Sequence, residues 1–502
     1  MRITNSHIYG QALNNIWRNA RHLHDLVVQI ETKKRIQRPS EDPLLASRAL
    51  RYRTILAETE QFMRNAAQGM AWMEVSESAF NSILTGNPPT SPSIVQSIFS
   101  RLLEAANAPL ELADQLAIVA ELREKFDQMF GIEMNQTYLG RYVFSGFHTN
   151  QPPVLKQDWP GRSFIITQTF NADDIEETLA FHRPHHAARA EVIYTNIIKL
   201  PFTNLDFDFD TSGISNQNIL PEIGIFGPDG QEFHIISLDS SLYEAYRPDD
   251  LFNGLPVIHH IVDTGELVMS DATREIFQNG TTVTFEARDL VAGELNPIIY
   301  FDSFEVISDT AEPFSSRVMP FSATRQNIKM EISPQSYITV NSHASNILTA
   351  NLFSDLRRLF DFADSLVLSD PRVITEYYRN PPHELTEHEL TNAVETFLSE
   401  ERRAFASAMY SRINNQLERI MQHATQAQRE HTNLGSRMAR LAMIDIRLEE
   451  DKVSITALLS ENEDIDQPAT LMRLDGAEAA FGFALQAIAR TTQLTLADFI
   501  NR

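Results

Sequence analysis

The chain has 502 residues, enough for two to four domains, and its 43% hydrophobic and 22% charged content lies near the globular average, which excludes wholesale disorder. It contains no cysteine, which excludes disulfides, thiolate zinc sites and cysteine nucleophiles, so stability must come from packing or from neighbouring subunits. A formal charge of -25 argues against nucleic acid or an anionic membrane as partner, and no run of eighteen apolar residues points to a membrane span.

The opening Met1-Arg2-Ile3-Thr4-Asn5-Ser6-His7 has no apolar core and no small-residue cleavage site, so export by an ordinary signal peptide is not expected. Leu13, Ile16, Ala20, Leu23, Val27 and Ile30 then alternate at steps of three and four, which predicts a helix with a continuous apolar seam. A second seam runs from Leu45 through Ala49, Tyr52, Leu56, Thr59, Met63, Ala66, Met70, Met73, Glu77 and Phe80 to Leu84. Between the two lies Thr32-Lys33-Lys34-Arg35-Ile36-Gln37-Arg38-Pro39-Ser40-Glu41-Asp42-Pro43, where Ser40 or Asp42 can cap the second helix and Pro43 suits its first turn. Asn87-Pro88-Pro89 ends that helical run.

Asn135-Gln136-Thr137-Tyr138-Leu139-Gly140-Arg141-Tyr142-Val143-Phe144-Ser145-Gly146-Phe147 closes the first helical half, with Gly140 and Gly146 supplying turns around a short aromatic strand. After Gln151-Pro152-Pro153 the period changes from helical to alternating. Phe164–Phe170, Val192–Ile198, Ile223–Phe226, Phe233–Leu238 and Thr281–Ala287 read as strands, as do the segments around Ile328–Ile332 and Tyr337–Val340. Gly227-Pro228-Asp229-Gly230 joins two of them into a hairpin, and Ser333-Pro334 turns the last pair.

Helical spacing returns after a break at Asn380-Pro381-Pro382. From Tyr410 to Leu459, twelve of fifteen seam positions are apolar, so a rod of roughly 75 Å at about 1.5 Å per residue is expected, and it needs partner helices. A compact bundle is the commoner fate of such seams, but this length argues for a rod. A last segment pairs Leu471, Leu474, Phe481, Leu485 and Ile488 with a stripe of Ala477, Ala480, Ala484 and Ala487. Residues 1–53 hold ten Lys/Arg against four Asp/Glu, and residues 443–475 hold nine Asp/Glu against three Lys/Arg, so the two ends are expected to lie side by side. The seam at 13–30 is too short to be stable alone in water, so the terminal segments are expected to complete their folding on assembly.

Candidate chemistry is sparse. His383-Glu384-Leu385-Thr386-Glu387-His388 places its histidines five apart, off the shared helix face that a zinc protease needs, and reads as a solvated helix start. Asp206, Asp208 and Asp210 lack the glycine and glutamate of a calcium loop and read as a strand with an acidic face. His182, His185 and His186 read as polar surface, and no phosphate loop or nucleophile elbow is present. No catalytic, cofactor or metal residue is expected.

Two segments carry a family likeness. Arg35, Pro39, Asp42 and Pro43 stand in a connector that resembles one in flagellins and hook-associated proteins, and Gly140, Tyr142, Phe144, Ser145 and Gly146 stand in a segment similar to one of the type-3 hook-associated proteins. The family usually has glycine before lysine where this chain has Thr32-Lys33, so the first helix is expected to run further through the connector. The resemblance implies a mainly α protein: an elongated rod with paired N- and C-terminal helices, plus an outer β-rich domain. Its divisions would be residues 1–38 with 466–502, residues 39–150 with 346–465, and the β insert 151–345. It also implies a non-enzymatic flagellar subunit exported without a cleaved signal peptide, joining hook to filament and templating flagellin. Partners would be further copies in a ring or helical layer, the first hook-associated junction protein, flagellin, an export chaperone and the export apparatus. Filament flagellin and a flagellin-like surface adhesin are the alternatives.

Overall fold

The computed structural model describes residues 5–86, 92–107, 110–154, 163–182, 191–203, 205–208, 214–215, 220–239, 242–288, 295–308, 316–320, 326–379 and 386–500. Helix α1 (Asn5–Thr32) carries the first seam and α2 (Pro43–Phe80) the second, with a π-helical turn at Asn81–Thr85. Helices α3 (Ile94–Asn107) and α4 (Leu112–Phe126) follow, then a π-helical stretch at Asp127–Glu133 and a hairpin of β1 (Thr137–Tyr138) and β2 (Arg141–Tyr142). The β insert contributes β3 (Ser163–Phe170), β4 (Glu176–His182), β5 (Glu191–Lys199), β6 (Leu205–Asp206), β7 (Ile214–Ser215), β8 (Gly224–Phe226) and β9 (Glu232–Leu238). It continues with β10 (Leu251–Phe252), β11 (Leu255–Ile261), β12 (Glu266–Met269), helix α5 (Asp271–Ile276), β13 (Thr281–Arg288), β14 (Asp302–Ser308) and β15 (Ser316–Pro320). A hairpin of β16 (Lys329–Ser333) and β17 (Ser336–Thr339) leads back to helices: α6 (Ala344–Ile347), α7 (Ala350–Ser365), α8 (Pro371–Arg379), α9 (Glu387–Glu463) and α10 (Gln467–Ile500).

Helices at both ends with a β-rich insert between them are the architecture expected from the change of period along the chain. Every segment that alternation marked as a strand is one. Two details differ. Helix α1 ends at Thr32 and does not run on, because Lys33 takes a left-handed φ of 57° that breaks the helical ladder. The acidic strand at Asp206 is only two residues long: the Asp208 amide donates to Asp206 Oδ1 at 2.8 Å and draws the chain out of the ladder. Asp210, His185, His186 and His383 lie outside the described residues, whereas His388 sits exposed in the first turn of α9.

The fold divides into two compact units. The terminal unit comprises Met1–Gln68, Glu331–Tyr337 and Leu441–Arg502, and the central unit comprises Gly69–Met330 and Ile338–Arg440. The central unit holds the sheet, whose order is β4-β5-β12-β11-β9-β8-β13-β3-β14-β15-β7, with β10 on β11 and β6 on β13. Pairing is antiparallel except for β9 with β11 and β7 with β15. Strands β3 and β13 pair along their whole length, Ser163 opposite Arg288 and Phe170 opposite Thr281, and bury Phe164, Ile166, Val283 and Phe285.

Helix α7 packs against both α4 and β5, and its apolar positions Phe353, Leu356, Leu359 and Phe360 are buried. Phe353 meets Phe126 and Phe130 at centroid distances of 5.1 Å each. Alongside this apolar cluster, Arg358 Nη1 is 2.6 Å from Glu176 Oε2, both side chains almost wholly inaccessible. Arg412 stacks on Phe362 at 3.9 Å, and burial together with the neighbouring Arg358 charge pulls its pKa down to about 10.

The α9 seam shows how the sequence period becomes burial. Ile413, Ile420, Ala427, Leu434, Leu441 and Leu448 are buried at intervals of seven, while the interleaved Leu417, Ala424, His431 and Met438 are half-buried. In α2 the same interval picks out Thr59, Ala66, Met73 and Phe80.

Candidate assembly surface on the terminal helices

Within the terminal unit, the ends of the chain are brought together by their connectors. The Arg35 amide donates to the Glu463 carbonyl at 2.6 Å, and the Ile465 amide donates to the Lys33 carbonyl at 3.2 Å. The end of α1 therefore lies beside the start of α10, and the two helices pack antiparallel. The opposite charges of the two ends meet at the same place: Lys34 Nζ lies 2.9 Å from Glu463 Oε2 and 2.8 Å from Asp464 Oδ1, and Arg53 reaches Glu463 at 2.8 Å. Asn462 Nδ2 also donates to the Leu45 carbonyl at 3.0 Å. This clamp holds its ions in the charged form. Burial alone would raise the Glu463 pKa, but hydrogen bonds from Lys34 and Arg53 outweigh it and the net shift is downward. The Lys34 hydrogen bond lowers Asp464, and hydrogen bonds to Asp464 and Glu463 raise Lys34.

The connector residues build the clamp's frame. Asp42 Oδ1 accepts from the Leu44 and Leu45 amides at 3.1 Å each, capping α2, and Pro43 occupies the first helical position, where no amide hydrogen is needed. The Arg35 side chain and Pro39 are exposed.

Beyond the clamp the helices are sparsely covered. Of the seam positions Leu13, Ile16, Leu23, Val27 and Ile30, Leu13 is 52% exposed and the other four are half-buried. On α10, Leu474, Phe481 and Ile488 are half-buried, while Leu471 and Leu485 are exposed. Among the side chains described on α1 the most deeply covered is Leu26, at 4%, which belongs to the same stripe as Leu23 and Ile30. The alanine stripe contributes Ala477, which is buried. Trp17, Met472 and Phe483 are exposed by 62%, 69% and 70%, and Leu44, Leu50, Met443, Ile446 and Val453 also face outward. An exposed apolar residue taken singly is ordinary, but here a tryptophan, a phenylalanine and a methionine are all exposed on one two-helix pair.

The other family segment lies in the central unit. Leu139 and Gly140 both take left-handed φ values, 50° and 75°, which make the tight turn between β1 and β2. The Tyr142 amide donates to the Thr149 carbonyl at 2.8 Å, and Ser145 Oγ donates to the Gln151 carbonyl at 2.7 Å across the turn made by Gly146, whose φ is 60°. Phe144 is buried edge-on against Phe80 at 6.3 Å, and its carbonyl accepts from the Ala344 amide. This segment is a structural corner that locks α2 to the start of α6.

The two ends of the chain thus form a helical pair that is sparsely covered by its own fold. Residues 3–149 match the bacterial flagellin N-terminal helical region. Flagellar hook-associated protein 3 of Salmonella typhimurium is 25% identical over 153 residues, and its Escherichia coli counterpart is 23% identical over 157 residues. These matches cover 30% and 31% of this chain and 46% and 47% of the relatives, so the chain spans about half the length of the curated relatives it matches. Among solved structures, a flagellar hook-associated protein from Vibrio parahaemolyticus (TM-score 0.35, 11% identity, 84% of this chain and all of that one) is similar. So is Xanthomonas campestris FlgL (TM-score 0.30, 12% identity, 81% and 99%). The N-terminal part of the chain is thus a flagellin-type helical region whose curated relatives are type-3 hook-associated proteins.

Proposed function

We propose that this protein is a structural subunit of the bacterial flagellum that forms the junction between hook and filament and offers incoming flagellin a template. The observation that carries the reading is the terminal unit: α1 and α10 pair with each other, yet among the side chains described on them only Leu26, Thr470 and Ala477 are buried. Burial between neighbouring subunits would supply the stability that the pair lacks by itself. The names of the curated relatives favour a hook-associated role over filament flagellin.

In this reading the terminal helices line the inner tube of a layer of identical subunits, with the first hook-associated junction protein on one side and flagellin on the other. The β insert is the outer domain, and residues 39–150 with 346–465 form the rod between. The chain leaves the cell through the flagellar export apparatus, its C-terminal helices held by a chaperone until assembly, and no step of its action is chemical. Electron microscopy of cells lacking the protein tests this. Bare hooks with flagellin released into the medium are expected, restored by the full chain but not by one lacking residues 1–40. Intact filaments on such cells would overturn the assignment.

A further inference from the structure

An asparagine followed by glycine is prone to lose its side-chain amide, because glycine has no Cβ to shield its backbone nitrogen from the side-chain carbonyl carbon one residue before it. The chain holds two such pairs, Asn253-Gly254 and Asn279-Gly280, and nothing in the assembly reading uses either. The fold treats them differently.

Asn279-Gly280 is tied at both reacting ends. Asn279 Oδ1 accepts from the Ala172 amide at 2.8 Å, and the Gly280 amide, whose nitrogen would be the nucleophile, donates to the Phe170 carbonyl at 2.9 Å. The next residue is anchored as well. Buried Thr281 donates from its amide and from Oγ1 to the Gln278 carbonyl, at 3.2 Å and 2.8 Å, and it opens β13, which pairs with β3 along its whole length. Ring closure needs the Asn279 side chain and the Gly280 nitrogen to turn towards each other, and each of these bonds opposes that movement.

Asn253-Gly254 is the two-residue turn between β10 and β11, with φ values of 51° and 86°. Both residues are exposed, and among the described residues neither the Asn253 side chain nor the Gly254 amide has a hydrogen-bond partner. Strand β10 is only two residues long, and both are exposed. Its anchors are the pairing of Leu251 with Pro256 and of Phe252 with Leu255, and the stacking of Phe252 on His234 at 4.6 Å. So short a strand at the surface opens locally at small cost, which frees the turn to reach the geometry of ring closure.

We propose that Asn253 is a site of spontaneous deamidation, with water as the co-reactant, and that the fold protects Asn279 from the same reaction. The Gly254 nitrogen attacks Asn253 Cγ, the bond from Cγ to the side-chain nitrogen breaks, and that nitrogen departs as ammonia with the proton that Gly254 gives up. A succinimide remains. Water then opens one of its two imide C–N bonds to give aspartate or isoaspartate, with one new negative charge and no change in oxidation state. Aspartate leaves the main chain its length. Isoaspartate inserts a methylene into a turn of two residues, which takes Phe252 out of register with Leu255 and off His234. The inference does not rest on the flagellar reading.

Peptide mass mapping of the full chain kept at mildly alkaline pH tests it, beside the same chain unfolded in guanidinium chloride. In the native chain the amide-to-acid mass gain should appear at Asn253 at least about fivefold faster than at Asn279, in both aspartate and isoaspartate forms. In the unfolded chain the two pairs should convert at similar rates, because the fold alone separates them. A smaller ratio in the native chain, or one of that size that survives unfolding, overturns the proposal.

Discussion

Helices α7 and α1 make different use of their apolar residues. Helix α7 has 16 residues, and ten of them, including Phe353, Leu356, Leu359 and Phe360, are buried within its own unit. Helix α1 has 28 residues, and among those whose side chains are described Leu26 alone is buried, while Trp17 faces outward. The first helix is enclosed within its own unit, whereas the second has α10 as a partner and leaves most of its surface uncovered. An apolar seam in a sequence therefore states a need for partners without saying whether they come from the same chain.

Substitutions sharpen this contrast. Phe353→Ala should lower the stability of the central unit by about 3–5 kcal/mol in chemical denaturation, since it empties a tightly filled aromatic cluster. Arg358→Ala should cost a comparable amount, about 3–5 kcal/mol, because it leaves the Glu176 carboxylate buried without its partner, whereas Arg358→Met with Glu176→Leu should recover much of the loss. A loss under about 1 kcal/mol for either single change would mean that the central unit is no better packed than the terminal one.

Glu463→Ala should loosen the connectors by about 1–2 kcal/mol, a figure already reduced for the partial exposure of Lys34 and Arg53. The clamp should also depend on pH. Glu463 and Asp464 have depressed pKa values in the fold, so their contribution is present above their unfolded values near 4 and is lost as pH falls through the folded ones. Lys34 is raised, so its contribution is complete below about pH 10 and is lost as pH rises through its folded value. Amide exchange of residues 33–35 and 463–465 should therefore be slowest between about pH 5 and 10 after correction for intrinsic rates, and a flat profile would remove the clamp from the account.

The smallest effect on the monomer should come from the most exposed aromatic residues. Trp17→Ser or Phe483→Ser should change monomer stability by less than about 0.5 kcal/mol yet abolish polymerisation measured by light scattering. Unimpaired polymerisation would show that these side chains are not contact residues.

Much of this fold was legible in the sequence because period and punctuation are local signals. The seam from Tyr410 to Leu459 lies within one helix, and Asp42-Pro43 caps α2 in the way capping chemistry dictates. Opposite charge at the two ends foretold that they meet, though not that Lys34 and Arg53 would converge on Glu463, since pairing across some 400 residues leaves no local trace. Strand β11 escaped notice for a physical reason: Leu255–Ile261 runs between β9 and β12 and is buried on both faces, so it lacks the alternation that marks a half-exposed strand. The Arg358–Glu176 pair was equally hidden, because a charged residue in a sequence gives no sign of being buried. Leu26 lay one position from the expected line, where the spacing alone does not separate it from Val27.

Hydrogen exchange of the isolated monomer, resolved by segment, tests most directly whether the terminal helices are incomplete. Residues 5–32 and 467–500 should exchange orders of magnitude faster than Ala350–Ser365 in the monomer, and should become protected when the protein is polymerised. Protection of α1 and α10 in the monomer equal to that of α7 would contradict the account.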